Sequence, residues 1–258
     1  MRIPAFVRLT FRNILVNMDP GTMLFLLGMP ALYLVVMGAM FQGFVPNVSV
    51  GNVSINYETF LTPGIIGMQT LTAGNIGAGM LWADRRWGMF EQILVGPFKR
   101  VDYLLSIMLL SVTFTLAGGA IMAVIAVAMS VTFAYTALNL AMMVIILSVG
   151  AMFFSSVFLI MSLTFKTMNA YNTATIFLFF FQDFASTAFY PVTSKTPVAL
   201  KYMVYVNPLT YIVDAARYVI TANDPLHAVL YTGVVTALML VFFSIAIYMY
   251  SHMKGTTA

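Results

Sequence analysis

Cysteine is absent from the 258 residues of this chain, and charged side chains make up only 8% of them. The absence of cysteine excludes disulfides, thiolate metal sites and cysteine nucleophiles. The shortage of charge excludes an ordinary soluble domain, because such a domain needs roughly 25% charged residues to cover its surface. Hydrophobic residues form 61% of the chain, so the composition predicts a single domain, residues 1–258, in a lipid bilayer.

The chain also lacks the motifs of an enzyme. It contains no Gly-x-x-x-x-Gly-Lys-[Ser/Thr] phosphate loop, so we expect no ATP hydrolysis on this polypeptide. Its two histidines, His227 and His252, are far apart in sequence, which argues against a metal site. We therefore expect no catalytic, metal-binding or cofactor-binding residue here, and no nucleic acid among the partners.

What the sequence does contain is six long apolar runs. An α-helix needs about 20 such residues to cross a hydrocarbon core of about 30 Å. The predicted spans are 22–41, 60–82, 103–133, 138–165, 168–189 and 227–250. The predicted fold class is therefore all-α, a polytopic membrane protein with six transmembrane helices.

Lysine and arginine are distributed unequally between the two sides of this arrangement. Nine of them lie on the side of the N-terminus and three on the opposite side. Positive residues favour the cytoplasmic side of a membrane. The sequence thus predicts a multi-pass protein of the cytoplasmic (inner) membrane with both termini in the cytoplasm.

The N-terminal segment, 1–21, mixes apolar residues with arginines. Between Ile3 and Val16, Arg8 and Arg12 interrupt an otherwise largely apolar sequence. This pattern suits an amphipathic helix on the inner leaflet, and a frayed cytoplasmic tail is the alternative.

The cytoplasmic loop 83–102 is the most charged part of the chain, and four apolar residues recur in it at helical spacing while Arg86 and Glu91 lie off that stripe. These four are Trp87, Phe90, Ile93 and Leu94. An amphipathic helix between two spans can rest among lipid headgroups or insert into a groove on a soluble partner. Periodicity leaves both interpretations open.

The segment 190–226 is predicted to lie outside, yet it is too apolar for a solvated loop. Pro197 suits the first turn of a short helix, and Asn207-Pro208 suits a turn into a second one. Two such helices can dip into the outer leaflet and return, provided that the turn is buried in protein or lines a cavity. Asp214 and Arg217, three residues apart, are placed to pair across one helical turn.

Asp183 is the charged residue that falls within a predicted span, and an intramembrane carboxylate usually faces a cavity or a partner. It either attracts a cationic substrate or caps a turn at the outer interface. Phe177, Phe181 and Phe184 share one face of the same helix, next to Phe180. This stripe is a candidate transport pathway, with helix packing as the alternative.

Three stretches of the chain carry recognisable motifs. The first is the Phe-Leu-Thr-Pro-Gly-Ile sequence at 60–65. The second is the loop pattern Arg86-x-Gly88-x-x-Glu91-x-Ile93-Leu94-x-x-Pro97-x-x-Arg100. The third is Tyr190-Pro191 followed by Asn207-Pro208-Leu209-Thr210-Tyr211-x-x-Asp214-x-x-Arg217. In this order, the three motifs resemble the permease subunits of bacterial and archaeal ABC-2-type exporters, of the daunorubicin-resistance, nodulation and polysaccharide-export type.

This resemblance implies an interfacial N-terminal helix, a cytoplasmic coupling helix and paired outer re-entrant helices. It also implies two copies of a separate ABC ATPase that bind ATP and Mg²⁺, and a second permease, which we take to be an identical chain in a homodimer. The residues that it assigns to ATPase coupling are Asp84, Arg85, Arg86, Trp87, Phe90, Glu91 and Leu94. The residues that it assigns to the outer gate and re-entrant segment are Tyr190, Pro191, Asn207, Pro208, Tyr211, Asp214 and Arg217.

The predicted function is export by a permease that a separate ATPase drives. The chain has 21 methionines and 14% aromatic residues, which favours a hydrophobic or amphipathic drug or a lipid as cargo. A polysaccharide or a lipid-linked glycan is the alternative cargo. A secondary transporter or channel without an ATPase is an alternative of another class, but it should show ion-coupling charges or an inverted repeat. A membrane enzyme would need clustered His, Asp or Glu at an interface.

Overall fold

The computed structural model describes residues 4–41, 43–44, 47–50, 53–89, 92, 95, 98–131, 133, 136–193, 195–222 and 224–252. The helices in these ranges are α1 (Ala5–Asn17), α2 (Pro20–Phe41), α3 (Tyr57–Arg86), α4 (Arg100–Ala128), α5 (Ala137–Thr164), α6 (Met168–Phe184), α7 (Val198–Val206), α8 (Pro208–Arg217, followed directly by a π-helical turn at Tyr218–Ala222) and α9 (Pro225–Ser251). About 83% of the structure is helical. The prediction of a helical membrane protein is thereby confirmed in its broad form.

Within the described ranges, four helices are long and apolar enough to cross a membrane: α2, α4, α5 and α9. Helix α3 has 30 residues but is less apolar, because its middle contains Gln69, Asn75 and several threonines and glycines, and α6 has only 17 residues. The chain is therefore a multi-pass membrane protein, while the count of six spans stays a prediction.

A short β-hairpin between α2 and α3 was not predicted. Strand β1 (Val48–Val50) pairs antiparallel with β2 (Val53–Ile55), with Val48 opposite Ile55. Each strand has three residues, too few for the alternating pattern that reveals a strand in a sequence.

Helix α6 ends at Phe184, five residues before the predicted end of its span at 189. The carbonyl groups at its end accept hydrogen bonds from another part of the chain. The side-chain amide of Asn207 donates hydrogen bonds to the carbonyl oxygens of Gln182, at 2.9 Å, and Ala185, at 2.8 Å. A helix end needs such partners wherever water cannot supply them.

Helix α3 lies at the centre of the bundle, and all its residues from 57 to 74 are buried. Two glycines let other backbone segments approach it closely. A Cβ atom at Gly64 would overlap the carbonyl oxygen of Ala188, and one at Gly74 would lie 2.8 Å from the backbone nitrogen of Ser155 on α5. Small residues at these contacts are typical of helices that pack within a membrane.

Helix α1 occupies the segment for which an interfacial helix is predicted. Its inner face packs on α4, where Thr10 and Asn13 both hydrogen-bond to Ser106. Phe11 and Leu15, on the outer face, are exposed. An exposed apolar face suits the boundary between headgroups and acyl chains.

Candidate functional site

The C-terminal end of α3 is connected to two other helices through Asp84. Both carboxylate oxygens of this buried residue accept from Arg12 on α1, with Nη1–Oδ2 at 3.2 Å and Nη2–Oδ1 at 3.3 Å. The hydroxyl of Tyr103 on α4 donates to the same Oδ2 at 2.7 Å. Asp84 thus joins α1, α3 and α4 at one point.

Arg85 makes a third connection from the same turn of α3. Its Nη1 donates to the carbonyl oxygen of Ser162, near the end of α5, at 2.9 Å. This bond also supplies a partner for one of the last carbonyls of α5. The start of the segment 83–102 is therefore fixed to the bundle on both sides.

The other end of this segment is anchored as well. Arg100 Nη1 donates to the carbonyl oxygens of Tyr250, at 3.2 Å, and Ser251, at 3.1 Å, on α9. The carboxylate of Asp102 accepts from the Lys99 backbone N–H at 3.0 Å and caps α4. The two ends of this segment are thus in contact with α1, α3, α4, α5 and α9.

Arg86 and Trp87 point away from these contacts. Trp87 is 77% exposed, and the Arg86 guanidinium lies 5.5 Å from the centre of the Trp82 ring. Gly88 follows with a φ of +70°, a conformation that closes a helix end and that other residues adopt only with strain. The predicted coupling residues thus form two groups, an exposed one (Arg86, Trp87) and a buried or anchored one (Asp84, Arg85).

The remaining predicted coupling residues, Phe90, Glu91 and Leu94, lie outside the described residues. Sequence reasoning missed Arg12 and Tyr103, the partners of Asp84. Each belongs to a segment that was interpreted for its apolar pattern. The one signal in the sequence was a carboxylate directly after an apolar run, which requires a cationic or hydrogen-bonding partner.

At the opposite end of α3, Arg217 binds three segments of the chain. Its Nη1 pairs with Asp214 Oδ1 at 2.6 Å. Its Nη2 donates to the carbonyl oxygens of Phe60, at 3.2 Å, and Thr187, at 2.9 Å, and the guanidinium lies 3.9 Å from the centre of the Phe60 ring. Arg217 therefore holds α8, the start of α3 and the chain after α6 together.

The turn between α7 and α8 is built on Asn207-Pro208, as the sequence predicts. Asn207 Oδ1 accepts from the Leu209 N–H at 2.9 Å, and Pro208 occupies the first helical position. The Tyr211 hydroxyl donates to the Tyr205 carbonyl oxygen at 2.7 Å, which braces the two short helices against each other.

Two further residues predicted for the outer gate, Tyr190 and Pro191, lie in the segment between α6 and α7. Both are partly buried. Pro191 lines a cavity of about 300 Å³ next to Asp214 and Arg217. The depth of α7 and α8 in a membrane, and hence their re-entrant character, stays a prediction.

A larger cavity, of about 420 Å³, lies between α2, α3 and α6, and we call it the α6 cavity. Its walls are Phe25, Met29, Pro30 and Tyr33 of α2, Met68, Thr72 and Asn75 of α3, Asn172, Thr175, Ile176, Phe179, Phe180, Asp183 and Phe184 of α6, and Phe189. Most of these side chains are apolar or aromatic. The α6 residues that line the cavity between Asn172 and Asp183 extend over three helical turns, about 16 Å along the helix axis.

The α6 cavity contains two of the four residues of the predicted pathway. Asp183 and Phe184 line it, whereas Phe177 and Phe181 do not and are exposed, with Phe177 72% exposed. Phe180, which stacks on Phe184 at 6.0 Å between ring centres, also lines the cavity. The role of all four residues in transport stays a prediction.

Helix α2 departs from regular geometry where it lines the α6 cavity. It contains two π-helical turns, Leu24–Gly28 and Tyr33–Met37, on either side of Pro30. Proline lacks the N–H that continues the ladder of hydrogen bonds, and wide turns of this kind are frequent at functional sites.

In comparison with known families, the model of a family described as ABC-2 type transporter matches residues 5–221, a range that includes the Asp84 network, the Arg217 contacts and the α6 cavity. Comparison with curated proteins gives no match.

Proposed function

This chain belongs to the ABC-2 type transporter family, and on that premise we propose that it is the permease subunit of an ATP-driven exporter. It moves a hydrophobic or amphipathic small molecule, or a lipid, across the cytoplasmic membrane by alternating access. ATP and Mg²⁺ bind to a separate ABC ATPase, present in two copies. Both termini of the permease face the cytoplasm, with the ATPase.

The anchoring of the segment 83–102 carries this proposal. An external machine can drive a membrane domain only if the point that it pushes is rigidly connected to the spanning helices. Here the segment is tied to the bundle at Asp84 and Arg85, near its start, and at Arg100, near its end. Trp87, exposed on the same segment, is available to a partner.

The α6 cavity supports the proposed class of cargo. Its volume of about 420 Å³ falls in the range of sites for drug-sized ligands, roughly 300–1,000 Å³. Aromatic and aliphatic walls favour an apolar or amphipathic molecule over a polysaccharide, which would require many hydrogen-bonding groups.

The second permease is an identical chain in this proposal. The outer faces of α6 and α7 expose a group of large apolar side chains, which are Ile176, Phe177, Phe180, Tyr202, Tyr205 and Val206. A second copy that covers part of this surface would place two α6 cavities near each other and form one pathway along the dimer axis.

The test of the proposed function is reconstitution with an ABC ATPase that copurifies with the permease. Proteoliposomes containing both subunits should accumulate or release a fluorescent amphipathic dye only when ATP and Mg²⁺ are supplied. The matched control carries an ATPase whose phosphate-loop lysine is replaced by alanine. Equal dye movement by the permease alone, with no nucleotide, would overturn the proposal in favour of a secondary transporter or channel.

A further inference from the structure

We propose that the α6 cavity is a site for a lipophilic organic cation, whose charge pairs with the carboxylate of Asp183. This inference rests on the proposed export function and names the class of its cargo. It excludes anions of the same size and shape.

The first observation is the state of the Asp183 carboxylate. Its Oδ1 is buried and has no hydrogen-bond partner among the described residues. Carboxylates removed from water need a donor or a positive charge, and acidic residues inside membrane segments typically mark a substrate or ion pathway. A bound cation supplies the missing partner.

The second observation is that Arg217, which contacts the chain four residues after Asp183, already has other partners. Arg217 directs its guanidinium to Asp214, Thr187 and the Phe60 ring, away from Asp183. Among the described residues that line the α6 cavity, Asp183 is the one that carries a charge. The cavity thus has a negative group without a neutralising residue in its own wall.

The third observation is a continuous series of aromatic rings beside this carboxylate. Tyr33 meets Phe189 edge to face at 5.5 Å, Phe189 lies 5.9 Å from Phe184, and Phe184 stacks on Phe180 at 6.0 Å. All four residues line the cavity. Ring faces attract cations through their quadrupole, most strongly where water is excluded.

These three observations define complementary parts of one ligand. The carboxylate pairs with the charge, the aromatic rings contact it, and the apolar lining residues Phe25, Met29 and Ile176 contact a hydrophobic body. A neutral lipid would leave Asp183 without a partner, and an anion would be repelled by it.

The experiment measures binding to the purified full chain in lipid nanodiscs, without nucleotide and without an ATPase. The probes are tetraphenylphosphonium, a lipophilic cation, and tetraphenylborate, an anion of nearly the same shape. Wild-type protein should bind the phosphonium saturably and the borate far more weakly. Asp183→Asn should weaken phosphonium binding by at least about tenfold, because it removes one partner of a buried charge pair.

Two variants keep this result interpretable. Asp183→Glu retains the charge and should keep phosphonium affinity within a few-fold of wild type. Asp19→Asn removes a carboxylate at the exposed N-cap of α2, where asparagine caps equally well, and should leave binding unchanged. Thermal unfolding of every variant shows that the fold is retained.

The inference is overturned if Asp183→Asn binds the phosphonium as wild type does, or if wild type binds the borate equally well. Because no nucleotide takes part, this outcome is independent of the proposed function. Charge-selective binding without ATP-driven transport in the reconstituted complex would contradict the exporter and support the site. ATP-driven transport of a neutral lipid, with no phosphonium binding, would support the exporter and contradict the cation site.

Discussion

Arg12 and Asp84 form a two-point ion pair, 72 positions apart in the chain, that joins the N-terminal helix to the end of the central helix. The arginine side chain is 29% exposed and the aspartate side chain 8%. The pair therefore sits at the edge of the bundle, with the carboxylate as its buried member. This position makes it a joint between the surface helix α1 and the segment that we propose to contact the ATPase.

Arg12→Ala should lower stability and uncouple the ATPase from transport. The substitution leaves a buried carboxylate with Tyr103 as its remaining partner, at a cost of about 1–3 kcal/mol. Thermal unfolding in detergent measures the first effect, and stimulation of the ATPase by cargo measures the second. Arg8→Ala is the matched control on the same helix, since Arg8 lies over the Phe98 ring and makes no ion pair to α3.

A double-mutant cycle of Arg12→Ala and Asp84→Ala tests whether the two residues act through each other. We expect the double variant to be less destabilised than the sum of the single variants by about 1–2 kcal/mol. Additive effects would show that the pair contributes no coupling of its own.

Tyr103→Phe should weaken the contact between α4 and Asp84 of α3 without disturbing the packing of the ring. The Tyr103 ring stacks on Tyr250 at 6.3 Å with an interplanar angle of 7°, and phenylalanine preserves that contact. Loss of the hydroxyl removes one hydrogen bond to Asp84, worth about 1–2 kcal/mol for a charged acceptor. Tyr202→Phe, at a side chain that is 68% exposed, should leave the unfolding temperature unchanged.

Hydropathy predicted the helices well wherever length and apolar content decide where a helix lies. The span predicted at 138–165 corresponds to α5, Ala137–Thr164. The end of α6 was missed because Asn207, from a different segment, caps it. Hydropathy averaged over neighbouring residues cannot detect a cap that a residue distant in sequence supplies.

The candidate sites were predicted less completely, for a related physical reason. Asp214 and Arg217 were identified together because three residues bring them onto one helical face. Asp84 and Arg12 were not, because only the packing of α1 against α3 and α4 brings them together. The cavity-lining face of α6 depends on where α2 and α3 lie, so the sequence could not show that Phe180 lines the cavity and that Phe177 does not.

Arg217→Lys should destabilise the end of the bundle opposite Asp84 despite keeping the charge. The guanidinium serves Asp214, Thr187 and Phe60 at once, and an ammonium group cannot reproduce that planar arrangement. We expect a loss of about 2–4 kcal/mol, since carbonyl oxygens and a carboxylate lose buried donors. Lys195→Arg, at an exposed residue, is the control, and an unchanged unfolding temperature in Arg217→Lys would contradict this assignment.

Gly64→Ala and Gly233→Ala make a matched pair that tests the central position of α3. Both glycines lie within helices. A Cβ at Gly64 overlaps the backbone of Ala188, whereas a Cβ at Gly233 would have none of the described atoms within 4 Å apart from its chain neighbours and the nearby backbone of its own helix. The first substitution should destabilise the protein by about 1–3 kcal/mol through overpacking, and the second should be neutral or stabilise it by up to about 1 kcal/mol through helix propensity. Thermal unfolding of the two variants side by side gives the comparison, and equal unfolding temperatures would show that α3 and the chain after α6 do not make this contact.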